Sequence, residues 1–162
     1  MKKIYSVLVE NRSGVLAKVS GLFARRCFNI DSLAVGETFD SEISNMTIVS
    51  SGDERTLEQI EKQLNKKLDV IKIKTFDEVD SVSRELMLVK VKYNKNNRKD
   101  IMEICDIMHA SIVDMSKSHM ILQLCDVPER IELFKSSLSG ISVVEVARTG
   151  TLALPKCNVL EN

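Results

Sequence analysis

The chain has 162 residues, of which 44% are hydrophobic and 28% are charged, the balance of an ordinary globular protein. Its 23 basic and 23 acidic side chains cancel, and aromatic residues make up 4% with no Trp, which argues against nucleic acid as a partner. No apolar run is long enough to cross a membrane, and Met1-Lys2-Lys3 leads into a strand pattern rather than a signal peptide. We therefore expect a cytoplasmic protein that binds neither nucleic acid nor a membrane.

The first half of the chain predicts six elements, identified by apolar residues that alternate in strands and recur every three or four residues in helices. In order they are a strand over 4–9, a helix after Ser13-Gly14 that ends near Arg25-Arg26, strands over 30–39 and 43–50, a helix carrying Leu57, Ile60 and Leu64, and a strand over 70–76. Ser13 is the predicted N-cap of the first helix, because its hydroxyl can accept from a free backbone N–H. The order β-α-β-β-α-β is that of a ferredoxin-like domain.

The second half repeats this order after an acidic, Ser-containing stretch at 77–83. Its predicted elements are a strand over 86–91, a helix carrying Ile101, Ile104 and Met108, strands at 112–113 and 120–127, a helix carrying Ile131, Phe134 and Leu138, and a strand over 143–147. The recurrence predicts an α+β fold of two tandem ferredoxin-like βαββαβ domains. We place the domains at 1–77 and 84–162, with a linker over 78–83.

The sheet of the second half carries apolar residues on both of its faces. Leu86, Leu88, Ile121 and Leu124 fall on both parities of the predicted strands. Two helices cover one face of a βαββαβ sheet, so an apolar second face requires a further partner. The pattern predicts an oligomer, at least a homodimer.

Motifs for catalysis and metal binding are absent from the sequence. It has no nucleophile elbow, Walker loop, dinucleotide fingerprint or zinc-helix motif. The four cysteines lie far apart, show no metal-ligand spacing with either histidine, and are predicted to be free, buried thiols: Cys27, Cys105, Cys125 and Cys157. We therefore predict no catalytic residue, no metal and no cofactor of the chain's own.

The segment from Glu10 to Leu16 departs from the generic pattern, because a strand ends, the chain turns over Asn and Gly, and a helix begins at once. Free backbone N–H groups at a helix start favour a carboxylate or phosphate. Gly14 lets a ligand approach the backbone, and Asn11 offers both a donor and an acceptor. A simple cap and turn explains the same residues equally well. Asn29, taken alone, is a turn residue after a helix.

Collinear strings in both halves carry a specific resemblance. They are IYSVLVEN at 4–11, SGVL at 13–16, GLFARR at 21–26, FNIDSL at 28–33, NMTIV at 45–49, LEQIEKQLNK at 57–66, RELMLVKV at 84–91 and VEVARTG at 144–150. Together they closely resemble the ACT-domain small subunit of acetohydroxyacid synthase (acetolactate synthase), over nearly the whole chain. The second half is more divergent, especially over 93–100 and 112–120.

The resemblance implies an N-terminal ACT domain in a non-catalytic regulatory subunit. Such a subunit activates a separate catalytic subunit, which holds the thiamine diphosphate, Mg and FAD, and confers feedback inhibition by a branched-chain amino acid, usually valine. The resemblance also implies an effector site between two ACT domains of a dimer. Asn11, Gly14, Val15 and Leu16 of one chain then face Asn29 and Ile30 of the other. An apolar lining of Leu16, Ile30 and Val35 would select the valine side chain.

Two other functions remain open. A free-standing ACT-type amino-acid sensor would control transcription or another enzyme. An acylphosphatase-like enzyme shares the element order and binds phosphate at the same turn with an Arg, where Arg12 stands. That enzyme would also need an Asn to place water and a loop richer in glycine.

Overall fold

A computed structural model of the chain describes residues 1–76 and 78–157. Its contacts divide the chain into one unit formed by Met1–Val82 with the segment from Thr151, and another formed by Ser83–Gly150. The predicted linker over 78–83 is a short 3-10 helix, Glu78–Asp80, followed by the first residues of a strand. The predicted ranges 1–77 and 84–162 thus differ from this division, and their residues 77 and 158–162 lie outside the described part.

The first unit has the predicted β-α-β-β-α-β order. Its elements are β1 (Lys2–Glu10), α1 (Val15–Arg25), β2 (Ser32–Glu37), β3 (Ile43–Ser51), α2 (Glu54–Leu64) and β4 (Val70–Phe76). They form an antiparallel sheet in the order β2-β3-β1-β4, so that β2 and β4 are its edge strands. In β1 and β3, Ile4 lies opposite Val49 and Glu10 lies opposite Ile43.

The helices of this unit cover one face of the sheet. Tyr5, Val7 and Val9 alternate along β1 and pack in one cluster with the apolar faces of α1 and α2, including Phe23 and Ile60. Tyr5 O–H donates to the carbonyl oxygen of Leu57 at 2.9 Å, and burial, with a smaller effect of Glu61, raises the pKa of the Tyr5 phenol. The spacing of three and four residues predicted for α2 therefore places its apolar side chains in the core.

The second unit repeats the order, which confirms the predicted tandem fold. Its elements are β5 (Ser81–Lys92), α3 (Arg98–Met108), β6 (Ser111–Met115), β7 (His119–Asp126), α4 (Pro128–Ser137) and β8 (Ser142–Arg148). The strands lie in the order β6-β7-β5-β8. Leu124 is buried in the cluster that packs under the helices. On the opposite face of the sheet, the side chains are only half-buried at Leu86, Leu88 and Ile121.

A short strand after β8, β9 (Leu152–Pro155), was not predicted from the sequence. It pairs with β5, whose first two residues belong to the first unit. Ala153 packs against Ile4, Val49 and Phe76, on the parity of β1 opposite to Tyr5. The Thr151 N–H also donates to Ser32 Oγ at 2.8 Å. This segment therefore covers part of the first sheet's second face.

The cysteines are free, as predicted, but the prediction that all four are buried is wrong. Cys105 alone is buried, on α3, whereas Cys27, Cys125 and Cys157 are exposed. Cys27 lies two residues after the end of α1, in a left-handed conformation with φ 54°. Cys125 lies on the less buried face of β7, one residue after the buried Leu124.

Candidate functional site

The turn between β1 and α1 is built around Gly14. Gly14 is the N-cap of α1 and has φ 87° and ψ −9°, a left-handed conformation that L side chains rarely adopt. A Cβ placed there would meet no atom within 4 Å, so the backbone conformation, rather than crowding, favours glycine. The prediction that Ser13 caps the helix is wrong. The N-cap residue is Gly14, and no side chain makes a capping hydrogen bond at this end of α1.

Two backbone N–H groups in the first turn of α1 are open, in the sense that no described residue accepts a hydrogen bond from them. The Val15 N–H donates to the Arg12 carbonyl at 3.3 Å, and the Lys18 N–H donates to the Gly14 carbonyl at 3.0 Å. Within residues 1–76 and 78–157, no acceptor is found for the N–H groups of Leu16 and Ala17. The first turn also carries no acidic side chain. These two donors, at the positive end of the helix dipole, are therefore available to a carboxylate.

Asn11 lies beside this turn with its donors already engaged. Its backbone N–H donates to the Glu42 carbonyl at 2.7 Å. Its Nδ2 donates to the Ser41 carbonyl at 2.8 Å and to Glu37 Oε1 at 3.2 Å. Glu37 and Ser41 were not predicted as site residues, because they are 26 and 30 residues from Asn11 and no local pattern connects them.

Val15 and Leu16 differ in what their side chains can contact. Val15 is 3% exposed and belongs to the core cluster, so its side chain anchors the start of α1. Leu16 is 44% exposed and Val35, on the edge strand β2, is 45% exposed. Both are apolar side chains that a ligand or a second chain could cover.

Asn29 and Ile30 precede β2. Asn29 Nδ2 donates to Asp31 Oδ1 at 2.6 Å, and the Asn29 carbonyl accepts from Ser50 Oγ at 2.6 Å. Ile30 is half-buried and packs against the core of the first unit. The Asn29 side chain is exposed, in a segment that β3 holds in place.

Within one chain the structure does not bring the two predicted groups of residues together. Asn11 follows Glu10, which pairs with Ile43, whereas the Asp31 N–H bonds to the carbonyl of Val49, which lies opposite Ile4. Six residues of β1 separate these positions, and at 3.4 Å per residue that is roughly 20 Å. A site made from both groups therefore requires two chains.

A cavity of about 340 Å³ opens beside Asn11, and its charged lining residues are Glu10, Asp40 and Glu42 together with the basic Arg12. Three carboxylates against one guanidinium leave the lining net negative, which favours a cationic group such as an α-ammonium. Arg12 forms an ion pair with Glu10, with Nη1 3.2 Å from Oε2. The positive charge that a phosphate-binding turn would supply is therefore already partnered.

The described residues offer neither a metal-binding cluster nor a membrane-crossing helix. No group of three or more His, Cys, Asp and Glu side chains among them is arranged to hold a metal ion. None of the described helices is long and apolar enough to cross a membrane.

Two βαββαβ units, the first with open helix amides after β1, define a protein of tandem ACT-like domains. The family described as "AHAS small subunit-like ACT domain" matches residues 5–72, and that described as "Small subunit of acetolactate synthase" matches residues 84–157. The chain belongs to the acetolactate synthase small-subunit family.

Relatives of nearly equal length support this assignment. A probable acetolactate synthase small subunit of Archaeoglobus fulgidus is 42% identical and covers 98% of this chain and 99% of its own. The acetolactate synthase isozyme 3 small subunit of Escherichia coli is 40% identical and covers 96% of each chain. A crystal structure of the acetolactate synthase small subunit from Thermotoga maritima superposes with a TM-score of 0.90, at 37% identity and over 98% of this chain and 99% of that one.

Proposed function

We propose that this chain is the non-catalytic regulatory subunit of acetolactate synthase, which activates the catalytic subunit and inhibits it when valine or another branched-chain amino acid binds. The observation that carries the proposal is the pair of open N–H groups on Leu16 and Ala17, next to Asn11 and to the exposed Leu16 side chain. A small amino acid has a carboxylate, an ammonium group and an apolar side chain to match these three features. Thiamine diphosphate, Mg and FAD would belong to the catalytic partner.

The roughly 20 Å between the two groups of residues supports a homodimer in which the edge strands β2 pair antiparallel. In that arrangement the end of one β2, near Asn11, lies beside the start of the other, near Asn29. Leu16 of one chain and Ile30 of the other would then flank the effector side chain. The exposed Val35, near the middle of β2, would become buried between the chains.

Effector binding would act by shifting a population of dimer conformations that differ in their contact with the catalytic subunit. The effector needs only a difference in affinity for the two states, and a coupling of ~1–3 kcal/mol is typical of allosteric proteins. Because each chain would supply part of one site, an effector bound there would contact both chains and change how they pair.

Val35→Lys is expected to convert the dimer into monomers at micromolar concentration. The substitution places one ammonium group of each chain close to the two-fold axis, in an interface that must lose water. Light scattering would measure the mass, with twice the 18.2 kDa of one chain expected for the unaltered protein. Ile71→Lys is the matched control, because Ile71 is 53% exposed on the opposite edge strand. If both variants stay dimeric, β2 is not the interface.

Titration calorimetry with valine tests the effector site itself. We expect saturable binding to the purified dimer, and weaker binding of leucine or isoleucine, since one methylene changes affinity by ~1–3 kcal/mol in an apolar pocket. Absence of heat and of chemical-shift changes with all three amino acids would overturn the proposal.

A further inference from the structure

The side-chain amide of Asn11 is fixed by two acceptors that follow it in the sequence. Nδ2 donates to the Ser41 carbonyl at 2.8 Å and to Glu37 Oε1 at 3.2 Å. A carbonyl and a carboxylate accept hydrogen bonds and do not donate them, so the amide nitrogen rather than its oxygen must face this pair. Both amide hydrogens are thereby used, so a ligand that hydrogen-bonds to this amide must do so through Oδ1.

An exposed oxygen acceptor contacts the donors of a ligand. Asn11 is therefore suited to the ammonium group of an amino acid and not to its carboxylate. The carboxylate has its own match in the N–H groups of Leu16 and Ala17 at the start of α1. The net negative lining of the cavity beside Asn11, with three carboxylates and the single guanidinium of Arg12, favours the same orientation of the ligand.

Of the two acceptors, only the Glu37 carboxylate belongs to a side chain. Strand pairing fixes the backbone that carries this carboxylate. Glu37 is the last residue of β2 and lies opposite Ser44 of β3, which is 5% exposed. A residue held by strand pairing can keep a second side chain in one orientation.

We infer that Glu37 is a positioning residue for the effector site: it orients the Asn11 amide so that Oδ1 receives the effector ammonium while α1 receives the carboxylate. The inference rests on the proposed function and deepens it, because it assigns the polarity with which a zwitterionic α-amino acid enters the site. Glu37 acts through Asn11 and needs no contact of its own with the effector.

Two substitutions of Glu37 separate positioning from charge. Glu37→Gln keeps an oxygen acceptor for Asn11 Nδ2 and removes the charge, whereas Glu37→Leu removes both. Calorimetry with valine should show about tenfold weaker binding for Glu37→Leu, the scale of one lost hydrogen bond to a charged group, and a change below about twofold for Glu37→Gln. Isovalerate, which lacks the ammonium group, should bind wild type and Glu37→Leu alike in a titration followed by NMR.

The Asn11 side-chain amide resonances give a readout that needs no ligand. In the free protein they should shift in Glu37→Leu and stay near their wild-type positions in Glu37→Gln. Equal losses of valine affinity in both variants would assign Glu37 a direct charge role and overturn positioning. Wild-type valine affinity or unshifted Asn11 resonances in Glu37→Leu would overturn it too. If the wild-type protein binds no branched-chain amino acid, the proposed function is wrong instead. The Asn11 amide resonances then still report whether Glu37 orients Asn11.

Discussion

Gly14→Asp is expected to weaken valine binding by at least about 100-fold. The new carboxylate would stand at the start of α1, where the open N–H groups of Leu16 and Ala17 otherwise receive the effector carboxylate. It would compete for these donors and repel the ligand, and juxtaposed like charges cost several kcal/mol in a binding interface. Calorimetry would measure the affinity.

Two further variants isolate the cause of this loss. Gly21→Asp adds the same charge to the same helix, at a position where a Cβ would likewise meet no atom within 4 Å, and should bind valine normally. Gly14→Ala carries the cost of the left-handed φ 87° without a charge and should weaken binding far less than Gly14→Asp. Valine affinity in Gly14→Asp equal to that of Gly21→Asp would remove the turn from the site.

Arg148→Met is expected to destabilise the second unit by about 3 kcal/mol, the lower end of the range for breaking a buried ion pair. Arg148 Nε lies 2.5 Å from Glu85 Oε1 and Nη2 lies 3.1 Å from Oε2, a two-pronged contact between β8 and β5. The Glu85 side chain is 3% exposed and that of Arg148 is 34% exposed. Removing the guanidinium leaves a buried carboxylate without its cation. Because water partly reaches Arg148, we expect a destabilisation at the lower end of the range for buried ion pairs.

Arg148 has a second, more exposed partner that supplies the control. Nη1 donates to Glu132 Oε1 at 2.7 Å. Hydrogen bonds to Glu85, and then to Glu132, raise the pKa of the Arg148 guanidinium, while hydrogen bonds from Arg148 and Lys135 lower the pKa of the Glu132 carboxyl. Because Glu132 is half exposed, Glu132→Gln should cost less than about 1 kcal/mol.

Native-state hydrogen exchange of the β5 and β7 amides is the suitable measurement, since it reports the opening free energy of this unit separately. The double variant Glu85→Leu with Arg148→Met should recover more than half of the loss, because no unpaired buried charge remains. A loss in Arg148→Met no larger than that in Glu132→Gln would contradict this account.

The elements that could be predicted from the sequence are those whose burial follows a local period. Leu57, Ile60 and Leu64 on α2 are at most 3% exposed, as their spacing requires, and β4 has the predicted bounds at both ends. The repeated order in the second half followed from the same periods. The predicted strand over 30–39 is shorter as β2, because pairing with β3 begins only at Ser32 and ends at Glu37.

Features set by distant contacts could not be predicted in this way. The strand β9 has four residues, too few for a period, and its place depends on packing of Ala153 against Ile4 and Phe76 far earlier in the chain. Gly14 replaces Ser13 as the cap because residue 14 takes a left-handed backbone, which the preference of Ser for capping does not indicate. The Asn11 contacts to Glu37 and Ser41 likewise arise only when the hairpin of β2 and β3 folds back.

The rate of acetolactate formation by the cognate catalytic subunit, measured alone, with this chain, and with this chain plus valine, tests the proposed function most directly. We predict that the chain raises the rate and that valine lowers it again, with Gly14→Asp retaining the activation and losing the response to valine. An unchanged rate on adding the chain, in a mixture where the two proteins do not co-purify, would contradict the regulatory role. Valine binding without any effect on that rate would instead indicate a free-standing amino-acid sensor.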